Sequence, residues 1–174
     1  MDLWYKGALE LAAAIREREI SAVEILDLYL DRIDRFNPAL NAIVVFDTEA
    51  AREAACAADA ALTAGHTTAP LHGVPMTVKE SFDLAGHPST FGRPDRRNHK
   101  ADRDALAIER LKAAGAVIIG KTNVPIDLAD WQSFNEIYGA TVNPWDIRRS
   151  PGGSSGGATA ALAATNPSND ATSD

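Results

Sequence analysis

Apolar residues recur at helical spacing over residues 7–18, where Leu9, Ala12 and Ile15 fall on one side, and again after Ser21, where Ile25, Tyr29, Ile33 and Phe36 do so. That period predicts two amphipathic helices. Ser21 with Glu24 fits a capping box that opens the second one, and Asn37-Pro38 predicts its end. The β-branched run Ala42–Phe46 predicts a strand or extended connection, and residues 48–64 predict a third helix stopped by Gly65. Further on, Val74-Pro75-Met76-Thr77-Val78 has strand character, with Lys79 at its end. Residues 85–103 form a polar loop punctuated by Gly86, Pro88, Gly92 and Pro94. A helix follows from Asp104 with Leu106, Ile108 and Leu111 as its apolar positions, and Gly115 ends it before the strand Ala116–Ile119. Helix, glycine and strand make an αβ unit, and with the earlier strand they predict an α/β fold, a mixed sheet flanked by helices in α/β/α layers.

Composition narrows the class. The 174 residues suit one domain, divided here into a helical wrap over 1–65, an αβ core over 66–164 and a polar, disordered tail over 165–174. A net charge of −7 disfavours non-specific binding to nucleic acid and to anionic membranes. No apolar run reaches the roughly 20 residues of a membrane span, and Asp2, Lys6, Glu10 and Arg16 break up any signal-peptide core. The single cysteine, Cys56, excludes an internal disulfide and reads as a buried, inert thiol. The cytoplasm is the default compartment. His72, His87 and His99 lack zinc-like spacing, so no metal is assigned.

Two stretches could carry chemistry. Gly115-Ala116-Val117-Ile118-Ile119-Gly120-Lys121-Thr122 spells a phosphate-loop pattern, but its four inner residues form a buried-type strand that cannot wrap amides around a phosphate. Ser150-Pro151-Gly152-Gly153-Ser154-Ser155-Gly156-Gly157 is different, because the Ala-rich run Ala158–Ala164 follows at once. It reads as a tight loop feeding a helix N-terminus, where hydroxyls sit in a field that favours negative charge. A flexible linker is the plainer alternative. Lys79 reads either as a surface lysine or as an amine desolvated enough to act as a base. Trp131 and Trp145 read as core residues, the second more firmly.

Gly73-Val74-Pro75 with Lys79, then Gly120-Lys121-Thr122-Asn123, Asn143-Pro144-Trp145 and the Gly/Ser run, in this order and spacing, resemble the amidase signature family over nearly all of residues 1–164. The resemblance implies the N-terminal part of that family's fold, left incomplete, and amide hydrolysis by a Ser-cisSer-Lys triad without a cofactor. It implies that Lys79, uncharged, takes a proton from Ser154, which follows Gly153 through a cis peptide bond, while Ser155 supports Lys79 and Gly152 and Gly153 shape the turn. It also implies that Ser154 in turn deprotonates a nucleophilic serine lying roughly two dozen residues further on, in a second Gly-rich turn. The sequence stops at Asp174 with no such turn, so it is expected to hold base and relay without nucleophile.

In the family, the region of Leu128, Ala129 and Asp130 lines the acyl pocket. Here Ile126 stands where an acid is frequent and Asp130-Trp131 replaces two small residues, so larger side chains would shrink or reshape the pocket and a glutamine substrate is not expected. The expected partner is a small amide, with self-association through an exposed sheet edge as an added expectation. Two readings stay open beside an amidase part inactive by itself. One is a weak esterase or amidase using Ser154 or Ser155 directly, and the other is a non-catalytic binding protein.

Overall fold

The computed structural model describes residues 3–66 and 68–164. The expected tail over 165–174 lies outside the described residues. After a 3-10 turn at Leu3–Tyr5 come α1 (Ala8–Arg16), α2 (Ala22–Leu40), β1 (Ile43–Phe46), α3 (Thr48–Thr63), β2 (Pro75–Lys79), α4 (Leu106–Ala113), β3 (Val117–Thr122), the short pair β4 (Phe134–Asn135) and β5 (Gly139–Ala140), and α5 (Gly156–Ala163). The main sheet has the order β1-β3-β2, antiparallel between β1 and β3 and parallel between β3 and β2. It is therefore the mixed sheet of an α/β fold. Alternation along β3 sends Val117 and Ile119 into a cluster with Leu11, Ile15, Ile25 and Leu26, while Ile118 joins Val78, Leu84 and Ile108. Helices α1–α3 thus share a core with one face and α4 with the other.

Local chemistry explains several boundaries. Ser21 Oγ accepts the Glu24 N–H at 3.1 Å and Glu24 Oε2 accepts the Ser21 N–H at 2.9 Å, which completes the capping box. At the other end the structure departs from expectation, because α2 runs through Pro38 to Leu40. Proline removes one amide donor, and in the last turn that is tolerable. The stop comes instead at Asn41, whose φ of 52° lies in the left-handed region. Asn37 Oδ1 then accepts the Ala42 and Ile43 N–H groups at 3.0 and 2.8 Å, turning the chain into β1.

Five expected core positions are corrected. Leu9 is 69% exposed, because the buried stripe of α1 is Leu11, Ala12, Ala14 and Ile15, and Leu9 sits about 160° round the helix from Leu11. Leu106 is exposed at the first turn of α4, where Ile108 takes the inward place. Cys56 is exposed, since the inward stripe of α3 is Ala51 and Ala55, one residue and about 100° away. Trp145 is 61% exposed, projecting from the tight turn where Asn143 and Asp146 bridge. Trp131 is exposed too, on a segment that packs through the backbone of its neighbours.

Candidate active site

Lys79 closes strand β2 and Glu80 follows it directly, and the two charged side chains go opposite ways. Lys79 goes toward the Gly/Ser loop, where its Nζ donates to Ser154 Oγ at 2.8 Å and to Ser155 Oγ at 3.1 Å. The amine is half-buried, and that burial pushes its pKa below the ordinary lysine range. Around the loop, Gly152 takes φ 89° and donates its N–H to Ser150 Oγ at 3.1 Å. The Gly153–Ser154 peptide is cis, and α5 starts two residues later.

Glycine at 153 is required by close approach. A Cβ there would overlap the Gln132 carbonyl oxygen and stand 2.6 Å from Gln132 N and 2.8 Å from Asp130 O. The backbone of residues 130–132 therefore forms a wall against the cis peptide. Of the expected pocket residues, the structure brings Asp130 to the loop through this main-chain contact. Leu128 and Ala129 lie just before it, at and beyond a 3-10 turn over Ile126–Leu128, and neither hydrogen-bonds to Lys79 or Ser154. Asp127 and Leu128 have φ of 53° and 60°, so this turn is held in a left-handed conformation. The Asp130 carboxylate accepts the Trp131 N–H at 2.6 Å and Gln132 Nε2 at 3.0 Å.

Behind Lys79 lies a polar cluster that the sequence did not single out. Glu80, fully buried, accepts four hydrogen bonds: Thr90 N–H at 2.7 Å, Thr90 Oγ1 at 2.8 Å, Phe91 N–H at 3.0 Å and Tyr138 Oη at 3.1 Å. Phe91 O in turn accepts the Asp127 N–H at 2.8 Å. A continuous path thus runs from the strand carrying Lys79 to the turn carrying Leu128. Lys121, also fully buried, donates to Pro88 O and to Ser89 Oγ. Burial lowers its pKa to about 8, with Glu80 and Asp83 pulling the other way. Desolvation likewise raises the Tyr138 hydroxyl, with Glu80 adding to it. The available signal was a charge inside or just after an apolar strand, which requires a buried partner.

The phosphate-loop spelling is absorbed by the sheet. Residues 117–122 are β3, Gly120 is pressed against the Val45 carbonyl, and the Lys121 amine is engaged by the 88–89 loop. No group of three or more potential metal ligands occurs among the described residues, and no described helix is long and apolar enough to cross a membrane.

The structure thus brings a lysine amine at the end of a mixed sheet to two adjacent hydroxyls just before a helix N-terminus. A family profile for Amidase matches residues 24–173. The chain belongs to the amidase family. It is similar to an indoleacetamide hydrolase of Bradyrhizobium diazoefficiens, 44% identical over 162 residues that cover 93% of this chain and 31% of the relative. It is also similar to an acylamidase of Rhodococcus erythropolis, 40% identical over 163 residues covering 94% and 34%, and to a glutamyl-tRNA(Gln) amidotransferase chain of Acidothermus cellulolyticus, 43% identical over 163 residues covering 94% and 32%. Among solved structures, 6-aminohexanoate cyclic dimer hydrolase complexed with substrate superposes with a TM-score of 0.83 at 34% identity, over 95% of this chain and 33% of that one. The chain spans about a third of the length of the curated relatives it matches.

Proposed function

We propose that these residues are the base and relay part of an amidase site that hydrolyses the C–N bond of a small amide through an acyl-enzyme. The observation that carries this is the 2.8 Å bond between Lys79 Nζ and Ser154 Oγ, made across 75 residues of chain. In the reaction, neutral Lys79 takes the Ser154 proton while Ser154 takes one from a serine supplied outside these 174 residues. That serine's oxygen attacks the amide carbonyl. The proton returns along the same path to the departing amine, leaving an ester. Water then attacks the ester, its proton following the same route, and the acid is released. Ser155 holds the Lys79 amine, while Gly152 and Gly153 shape the turn. The relatives' names, a hydrolase of indoleacetamide among them, support an amide as substrate. Ile126 and the Asp130-Trp131 pair speak against glutamine. The proposed setting is the cytoplasm.

The 174-residue chain by itself is expected to show no turnover. A fluorophosphonate probe tests this, with no covalent labelling as the expected result. The 3.1 Å bond from Lys79 to Ser155 favours one other reading, direct attack by one of the paired hydroxyls. Labelling that disappears in Ser154→Ala or Ser155→Ala would establish that reading instead. Among the described residues the order β1-β3-β2 places β1 and β2 outermost, and a strand edge without a partner templates pairing with another chain. Self-association is therefore expected in size-exclusion chromatography, and elution as a lone monomer across concentrations would exclude it.

A further inference from the structure

One buried side chain stands between the two ends of the Gly/Ser loop. Ser133 is 1% exposed, and its Oγ donates a long bond of 3.5 Å to the carbonyl of Gly152, two residues before Ser154. The same oxygen lies against Gly156, the residue after Ser155. A Cβ on Gly156 would overlap Ser133 Oγ and stand 3.1 Å from Ser133 Cβ. The hydroxyl therefore meets the loop just before and just after the two serines that reach Lys79. It is also held from behind. The Ser133 carbonyl accepts the Thr141 N–H at 2.8 Å, and Thr141 Oγ1 donates to Asn41 O at 2.7 Å while accepting Asn123 Nδ2 at 3.0 Å. On the loop side, serine hydroxyls engage both polar backbone groups of Gly152, Ser150 its N–H and Ser133 its carbonyl. A buried hydroxyl takes a partner, and this one takes it from the loop rather than from its own segment.

Resting on the reading of Lys79 and Ser154 given above, we infer that Ser133 is a positioning residue, whose hydroxyl, set against Gly152 and Gly156, keeps Ser154 and Ser155 within reach of the Lys79 amine. The tolerance is narrow. The amine meets Ser154 Oγ at 2.8 Å and Ser155 Oγ at 3.1 Å, and a loop shift of about 1 Å would carry both beyond hydrogen-bond distance. Ser133 itself touches neither the amine nor the relay hydroxyl, so it acts through the loop alone.

Reductive methylation of the folded 174-residue chain, with each lysine followed by peptide mass spectrometry, reads how firmly the amine is held. In Ser133→Ala, Lys79 is expected to react at least three-fold faster than in wild type, while Lys121, buried against the 88–89 loop, keeps its rate. Ser133→Thr retains the hydroxyl and is expected to stay within two-fold of wild type. Gly156→Ala, which drives a methyl onto Ser133 Oγ from the other side, should speed Lys79 as Ser133→Ala does. The inference is overturned if Lys79 keeps its wild-type rate in Ser133→Ala, if Ser133→Thr reacts as fast as Ser133→Ala, or if Gly156→Ala leaves Lys79 unaffected. Equal acceleration of Lys79 and Lys121 would overturn it too, since Ser133 would then only stabilise the fold. The fluorophosphonate experiment asks whether a hydroxyl attacks and this one asks what holds the hydroxyls in place, so the two can fail separately.

Discussion

The helical wrap and the end of the sheet solve the same problem in opposite ways. Within α1–α3 the buried side chains are all apolar, Leu11, Ile15, Ile25, Leu26, Ala51 and Ala55 among them. At the C-terminal ends of β2 and β3 the buried side chains include Glu80, Thr90, Lys121, Asn123 and Asn135. The wrap gains from area removed from water, which tolerates small shifts. The sheet end is held by directional bonds between residues distant in sequence, such as Tyr138 to Glu80 and Asn135 to Asn123 at 2.9 Å. Such a network specifies position tightly, and each unmade bond costs more than a made one contributes. The region that holds an amine within bonding distance of two hydroxyls uses the second strategy.

The largest expected effect comes from breaking the polar side. Glu80→Ala would leave the Thr90 and Phe91 amides and two hydroxyls without their acceptor and Lys121 without its attractive charge. A loss of about 3–5 kcal/mol is expected in urea unfolding. Leu26→Ala, a cavity in the wrap, is expected to cost about 2–5 kcal/mol. The distinction lies in where the damage goes. Amide hydrogen exchange should show Phe91 and Asp127 losing protection in Glu80→Ala while α2 keeps its own, and the reverse pattern in Leu26→Ala. Equal, global loss in both would mean that the two regions are one cooperative unit and would void the comparison.

The pH dependence sharpens it next. Lys121 titrates near 8 in the fold and near 10.4 in an unfolded chain, so between those values the unfolded state holds more protons. Stability therefore rises with pH across that window, by about 2 kcal/mol between pH 7 and 10. Tyr138 has the opposite sign, since its raised folded pKa makes stability fall as pH climbs above 10. Urea midpoints of wild type minus Lys121→Met over pH 7–10 isolate the first contribution. A flat difference would show that Lys121 keeps its ordinary affinity for the proton.

What could be read in the sequence follows the same division. The capping box at Ser21, the strand ending at Lys79 and the unit from α4 through Gly115 to β3 are local patterns, and periodicity or a single turn residue announces each. Leu9 and Cys56 depart from expectation because the centre of a buried stripe is set by what packs against the helix, which spacing alone does not contain. The meeting of Lys79 with Ser154 spans 75 residues and was available only through family resemblance. Glu80 stands next to Lys79 in the chain, yet its donors come from two loops with no regular spacing. Only the rule that a charge beside an apolar strand needs partners points to it.

The smallest effect isolates this division at one helix end. The first turn of α2 has amides to satisfy, and Ser21 accepts that of Glu24 from within the turn, while Asp59 on α3 accepts those of Ala22 and Val23 at 2.7 and 3.1 Å from 37 and 36 residues away. Ser21→Ala is expected to cost about 1 kcal/mol, the usual value of an N-cap. Asp59→Ala removes two acceptors from a part-buried site and also unties α3 from α2, so its cost should exceed that of Ser21→Ala. The two residues serve different amides, so the double variant should lose close to the sum. A double variant no worse than Asp59→Ala would mean that the remote carboxylate already holds the helix start, and that the local box, the feature most visible in the sequence, contributes nothing once α3 is docked.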